Sequence, residues 1–391
     1  MLKLSFYLCL AILIVGQFSL IAGSADTKFY FFDILVPLFA TFGLVYFLLV
    51  KRSLKIPKYF VPFIIFCFIA ICSLLFALSK FSPADVIVGS FYLIRFVSYL
   101  FSGIVIYNLL KVGKISDNEI YRAVVISGVF LAVAGFVQLY LLPDFTVLDP
   151  SLGWDPHKNR LAATFFDPNF VGQYLAVCLV YFFDRYYKLK KISFADGLIF
   201  LVMLIAFFLT FSRSAWAMLG VIVFIYGALK SKSLLMVGLL IAFCAYFAVP
   251  RVQTRISGAT DPSDSAKLRF VSWQNAWKIA KDNLWVGVGF NTYKFAQIDY
   301  GLLDVDSYSS HAASGTDSSL LLVLTTTGIL GLLVYLTGLL LPVLEKGRDK
   351  IAYLAVCGGL LVGSLFINSL FFPQIMFLYF ITLARYSFSR T

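Results

Sequence analysis

Charge is what this chain has least of. Only 13% of its 391 residues are Asp, Glu, Lys or Arg, against 61% hydrophobic, and the mean hydropathy is +0.90. Such a balance excludes a water-soluble domain of this length, because so few polar side chains could not cover its surface. Histidine is rarer still, with only His157 and His311 in the whole chain. The six cysteines, at positions 9, 67, 72, 178, 244 and 357, all fall in apolar runs and have the spacing of neither a metal site nor a disulfide frame. Internal repeats, low-complexity tracts and a separate soluble domain are also lacking.

What is present is a series of apolar runs of helix length. A bilayer core takes about 20 apolar residues per helical span, and backbone groups inside it must be satisfied within the helix. The runs predict an all-α, polytopic membrane protein with about twelve transmembrane helices. They lie near 4–22, 29–50, 59–79, 86–110, 120–142, 169–183, 193–211, 214–229, 233–249, 318–344, 351–369 and 374–386, in one integral membrane domain over residues 1–391. The first run follows a basic start and ends in small residues, as a secretory signal would, but it is longer than such a signal's apolar stretch and is read as the first span. Short loops on one side collect Lys51, Arg52, Lys55, Lys58, Lys111, Lys114, Arg185, Lys188, Lys190, Lys191, Lys230, Lys232, Lys346, Arg348 and Lys350, whereas the opposite short loops hold only Lys28, Lys80, Lys158 and Arg160. By the positive-inside rule both termini are expected in the cytoplasm. The net charge of +12 reflects this bias and contact with anionic lipid; it is no signal for nucleic acid.

Two loops are long, 143–168 and 250–317, and both are expected on the outer side. They carry both histidines and Trp154, Trp273, Trp277 and Trp285, with the fifth tryptophan, Trp216, three residues after Arg213. Tryptophan favours the membrane interface. Arg213, in FFLTFSRSAWAMLG, lies at the outer turn of a helical hairpin, where it either snorkels to headgroups or binds a ligand. In the larger loop, Phe270, Trp273, Trp277 and Ala280 recur at spacings of three and four, which predicts an amphipathic helix lying in the interface plane. Gly287 to Gly289 read as a turn, since no strand–helix unit is available to make them a nucleotide loop.

The ordered segments RLAATFFDPNFVGQYLA, LTFSRSAWAML, RFVSWQNAWKIAKDNLWVGVGFNTY and GTDSSLLLVLTTTGILGLL resemble the O-antigen ligase superfamily, which includes Wzy-type polymerases, over roughly residues 160–340. The resemblance implies a GT-C-like glycosyltransferase of the bacterial cytoplasmic membrane, moving a glycan from undecaprenyl diphosphate to a glycan, lipid or protein acceptor on the outer face, without metal or other cofactor. It implies that Arg213, Arg269 and, more weakly, Arg160 bind the lipid diphosphate. Where ligases usually have His-Asn, this chain has Thr316 and Asp317, with His311 five residues upstream. The general base is thus His311 or Asp317, the latter being equally well placed as a helix cap.

Three further residues, Arg95, His157 and Asn169, are candidates to line the substrate chamber. Arg95 sits deep in its span, where a lone cation is costly, so it either faces the chamber or pairs with an acidic side chain. His157 and its neighbour Lys158 read first as solvated loop residues, with sugar or phosphate contact as the alternative. Twelve spans would also suit a flippase or another secondary transporter, but such proteins carry related halves and midplane sites; this chain shows no matching halves, and apart from Arg95 its notable groups lie toward one face.

Overall fold

A computed structural model describes residues 1–23, 27–148, 157–189, 193–258, 265–303, 315–345 and 350–389. The described residues are all-α apart from one small hairpin and one isolated strand-like bridge, and every apolar run predicted as a span overlaps a helix. In order these are α1 (Leu2–Val15), α2 (Phe32–Val45), α3 (Val61–Ala77), α4 (Pro83–Lys111), α5 (Asp117–Leu141), α6 (Pro168–Leu189), α7 (Phe194–Leu209), α8 (Arg213–Leu229) and α9 (Lys232–Ala248). Among its described residues the large loop has three helices: α10 (Pro250–Ser257), α11 (Ser265–Asp282) and α12 (Tyr293–Asp299). Then come α13 (Ser319–Leu344), α14 (Ile351–Gly363) and α15 (Pro373–Phe388). Among the described residues, 6 helices are long and apolar enough to cross a membrane, namely α1 to α5 with their 3-10 or π extensions, and α13. The remaining helices at predicted spans are shorter or carry more polar residues. The first run is not helical throughout, because after Ser19 the chain forms a hairpin of β1 (Leu20–Gly23) against β2 (Lys28–Tyr30) that the apolar pattern did not indicate.

Side-chain contacts sort the helix ends into two groups. At one end lie the short basic loops, tied by ion pairs from Lys3 to Glu119, Lys58 to Glu345 and Arg385 to Asp117, and by Asn108, whose amide clasps the backbone of Lys55. At the other end Thr164 donates to the carbonyl of Ile14, Gln374 to that of Leu13, and Leu161 N to Leu209 O. Phe170 stacks on Phe372 with ring centroids 3.8 Å apart, and Ser319 N reaches Ser364 O. The two long loops emerge at this second end, so the asymmetry of Lys and Arg read from the sequence is an asymmetry of the folded bundle. Between the ends the core is aromatic, with Phe63, Phe66, Phe96, Tyr335, Phe371 and Phe380 in mutual edge and tilted contact and Tyr335 stacked on Phe371. Edge-to-face geometry matches the ring quadrupoles, which is how rings pack densely where the hydrophobic effect alone cannot distinguish protein from lipid tails.

One helix is broken. Within α13, Gly328 has φ 70 and ψ −173, outside the helical region, and the carbonyls of Thr325 and Thr326 lose their helical partners. The segment after α11 fills the gap: Val288 N donates to Thr325 O at 3.0 Å, Gly289 N to Thr326 O at 3.1 Å, and Ile329 N to Leu284 O at 2.7 Å. Ser73 of α3 adds its hydroxyl to the carbonyls of Val286 and Thr326. Non-helical backbone at membrane depth is tolerated only where protein satisfies it, and here the loop's own amides do so. The glycines at 287 and 289, read from the sequence as a turn, do turn, with φ of 75 and 118, but their further role is close approach, Gly287 to the backbone of α13 and Gly289 to Ala77 of α3.

The large-loop helix α11 is amphipathic, yet its buried face differs from the expected one. Ala276, Ile279 and Ala280 are buried against α13 and its surroundings, with Trp273 beside them, while Phe270 and Trp277 are 58% and 48% exposed. The helix docks on α13 rather than presenting all its aromatics to one apolar phase, because small residues at 276 and 280 allow the backbone closer than Trp277 would. The outward aromatics remain available to lipid, with Lys281 over the Trp277 ring.

Candidate functional site

The turn between α7 and α8 is built by two local devices. Phe211 adopts a left-handed φ of 46, which reverses the chain, and Ser212 then caps α8 by accepting from Ala215 N. Arg213 is therefore the first residue of α8, where the helix dipole leaves a positive end and unpaired amides favour an anion. Directly opposite, Asn169 stands at the start of α6. Its Oδ1 accepts from the Ser212 hydroxyl at 2.8 Å and from Arg160 Nη2 at 3.2 Å, and Arg160 Nε donates to Thr210 O at 2.9 Å. The helices approach closely because Gly172 has no side chain; a Cβ there would lie 2.6 Å from that of Ala215. Ser212→Ala removes both the cap and the donor to Asn169, and should lower thermal stability by about 1 kcal/mol, measured by reversible unfolding in detergent.

Two arginines that carried no sequence motif complete the cluster. Pro250 ends α9, and α10 leaves at 96° to it, so that α10 lies across the end of the bundle. Arg251 and Arg255, four residues apart, share one face of α10. Arg251 donates to the carbonyls of Asn159 and Lys158 at 2.5 and 2.6 Å and stacks over the Phe211 ring at 4.2 Å. Arg213 Nη1 reaches the Arg255 carbonyl at 3.3 Å. Burial pushes the Arg251 guanidinium down from the usual arginine range, though it stays charged at any working pH. Arg160, Arg213 and Arg251, with the backbone carbonyl of Arg255, thus meet around the N-termini of α6 and α8. The sequence signal that could have found the last two is the P-R-x-x-x-R pattern directly after an apolar helix.

Buried polar atoms without a hydrogen-bond partner among the described residues gather at the same end. They include both side-chain heteroatoms of Gln173, one turn into α6, Trp216 Nε1, one turn into α8, and Asn368 Oδ1 and Ser369 Oγ after α14. An orphaned buried donor or acceptor costs roughly 1–3 kcal/mol, and its persistence calls for a functional account. Backbone strain is concentrated here too. Of the six non-glycine residues with positive φ, Asn159, Ala163, Phe166 and Phe211 belong to the two segments around the arginines.

Asp317 and the helix that carries Arg269 form a second group linked to the first. Asp317 N donates to Ser272 Oγ at 3.1 Å and Trp273 Nε1 to Asp317 O at 3.2 Å, which fixes α11, one turn beyond Arg269, to the start of α13. Asp317 is not the helix cap it resembled in the sequence. Ser318 caps α13 by accepting from Leu321 N, so the half-buried Asp317 carboxylate lies outside the cap. The Tyr293 phenol is raised above its ordinary range by burial and by the nearby negative charge of Asp317. Trp273 also contacts the ring of Phe366, two residues from Ser364, at 6.0 Å; Gly363 abuts Gln173, and so the groups connect. His311 lies outside the described residues, as does Trp154.

The other two candidates move elsewhere. His157 is not a solvated loop residue; it is 6% exposed and lies on Phe145 at 4.3 Å, because the strand-like pairing of Asp144 with Lys158 folds the loop over the two rings. The Thr146 hydroxyl, and then Lys158, which pairs with Asp144 at 2.9 Å, hold the Asp144 carboxyl at about 2, below its ordinary 3.8. The pair's contribution is therefore present above pH 3.8 and is lost as the pH falls through about 2. Amide exchange of Phe145 and Asn159, both bonded across this pair, should accelerate on acidification in that window, beyond the intrinsic pH dependence of exchange. Arg95 pairs with an acidic partner, Asp33, through two bonds of 2.7 Å. Asp33 is in the first turn of α2, so Arg95 lies level with that helix's start instead of deep in the bundle. The cause is the 29-residue length of α4, about 43 Å at 1.5 Å per residue, which overshoots its neighbour.

Residues 198–336, from α7 through α13, match the family model described as O-antigen ligase. No curated protein matches the chain significantly. The matched segment contains Arg213, Arg251, Arg255, Arg269 and Asp317, while Arg160 and Asn169 come to it from the preceding loop and helix. Through this segment the chain is similar to the O-antigen ligase family.

Proposed function

We propose that the protein is a membrane glycosyltransferase that moves a glycan from undecaprenyl diphosphate to an acceptor on the outer face of the bacterial cytoplasmic membrane. The observation that carries this reading is the convergence of Arg160, Arg213 and Arg251 on the N-termini of α6 and α8, with the Arg255 carbonyl holding Arg213. In the reaction an acceptor hydroxyl attacks the anomeric carbon, the bond to the diphosphate oxygen breaks, and the leaving group takes the electron pair. Guanidinium groups and helix amides stabilise that growing charge, and arginine grips two oxygens at once. The hydroxyl proton goes to Asp317 or His311. Arg269, on the face of the large loop bound to Asp317, binds the outer phosphate or the first sugar. Gln173, Trp216 and Asn368 supply unspent hydrogen-bond groups for the glycan.

A polymerase using a second lipid-linked glycan as acceptor shares the same chemistry and is the runner-up. A transporter is less well supported. Its hallmark would be a broken helix offering free carbonyls to an ion, and the break at Gly328 is closed by the amides of Val288 and Gly289. The test is reconstitution of the full chain with a synthetic undecaprenyl-diphosphate glycan and a panel of acceptors. Release of undecaprenyl diphosphate coupled to glycan transfer is expected. Counterflow of the intact lipid across the bilayer with no transfer to any acceptor would refute the reading, and the length distribution of products separates ligase from polymerase.

A further inference from the structure

We propose that Gln138, on α5, is a positioning residue for Arg160, an inference that rests on the function proposed above. Its side-chain Oε1 accepts from two successive backbone amides just after Arg160, Ala162 N at 2.8 Å and Ala163 N at 3.1 Å. Its Nε2 donates to Leu142 O at 2.8 Å, and Leu142 N donates back to Gln138 O at 2.7 Å. One side-chain amide thus closes the end of α5 and grips the segment that leads to α6.

The conformation of that segment explains why such a residue is needed. Ala162 has φ −116 and ψ −11, and Ala163 has a left-handed φ of 46. Successive right- and left-handed residues turn their N–H groups toward one point, where a single oxygen with two lone pairs satisfies both. A left-handed alanine is disfavoured and persists only where its surroundings fix it. Ala162 and Ala163 are 0% and 1% exposed, so water does not serve in place of the glutamine. One turn earlier on α5, Gly135 admits Leu161; a Cβ at that glycine would lie 2.3 Å from Leu161 Cδ2. Leu161 N is held from the other side by Leu209 O at 2.9 Å. The backbone after Arg160 is therefore fixed between α5 and the α7–α8 turn, which sets the guanidinium on Thr210 O and Asn169 Oδ1.

The experiment is a double-mutant cycle in the reconstituted full-length chain, with a synthetic undecaprenyl-diphosphate glycan as the varied substrate. Gln138→Met keeps the length of the side chain and removes its donor and its acceptor. It should raise the donor KM by about tenfold and leave kcat within about twofold, since a displaced contact weakens binding of the lipid before it affects the chemistry. In an Arg160→Ala background the same substitution should change KM by less than about twofold, because the residue through which it acts is gone. A glutamine that merely capped α5 would lower Tm and activity by the same factor in both backgrounds, and that result overturns the proposal. An unchanged KM in folded Gln138→Met overturns it as well. Gln138→Asn keeps the amide but draws it back by one methylene, and decides by the same criteria if the methionine variant does not fold. No transfer by the wild-type chain, or an unchanged KM in Arg160→Ala, would instead overturn the functional reading itself, and this inference with it.

Discussion

Arg213→Ala is expected to reduce glycan transfer by about 10²–10³-fold, the loss typical of removing one preorganised donor from a developing anion. The side chain begins α8 and is held by the Arg255 carbonyl, so it is already positioned before substrate arrives. Arg213→Lys should recover little, because an ammonium cannot make the paired contacts of a guanidinium. The loss should fall on kcat more than on KM, since the charge on the leaving oxygen is greatest in the transition state. Arg251→Ala is expected to behave differently. Its hydrogen bonds hold the carbonyls of Lys158 and Asn159, so its removal loosens the segment carrying Arg160 and should raise KM by about tenfold with a smaller change in kcat. Steady-state assays of the reconstituted enzyme, with folding checked by size-exclusion chromatography, decide both. Wild-type turnover in Arg213→Ala would remove the arginine cluster from the chemistry altogether.

Gly328→Ala is expected to destabilise the protein by about 2–6 kcal/mol, combining a backbone conformation reserved for glycine with overpacking against backbone. A Cβ at this position would lie 2.2 Å from the Trp285 carbonyl oxygen, and a carbonyl in a paired segment cannot swing aside as a flexible side chain can. The effect should be local first, with faster amide exchange at Val288 and Gly289, whose hydrogen bonds cross to α13. Gly220→Ala is the control. A Cβ there meets nothing within 4 Å, so the change should be neutral or stabilising by about 0.5–1 kcal/mol. Unfolding in mixed detergent micelles measures both variants. If Gly328→Ala unfolded like wild type, the junction between the large loop and α13 would not be the rigid contact described.

A link between the two predictions runs through the large loop. One end of it, α10, carries Arg251 and Arg255 to the α6–α8 junction, and the other docks between α3, α4 and α13 through Gly287 and Gly289. Between them α11 is tied to Asp317 by Ser272 and Trp273. A loop fastened at three places can hold charged groups in fixed positions with little ordering left to do on binding, which is the advantage of preorganisation.

Hydrophobic run length and the placing of basic residues were enough to set the class of protein, the positions of its helices and the end of the bundle at which Arg213 would lie. These are properties of local composition: a run of about 20 apolar residues has few alternatives to a helix in lipid, and the charge bias is read loop by loop. The packing of the Arg213 turn against the segment of Arg160 and Asn169 was legible only through the family resemblance, because its contacts, Ser212 to Asn169 and Arg160 to Thr210, span more than forty residues. Tertiary structure alone decided the rest. It recruited Arg251 and Arg255 by turning α10 across the bundle end, gave Arg95 its partner Asp33 by letting α4 overshoot α2, and moved the capping role from Asp317 to Ser318. It also buried His157 and turned Trp277 outward. In each case the outcome hung on which element arrived alongside, a matter of helix length, bend and close approach that no periodicity in one stretch of chain records.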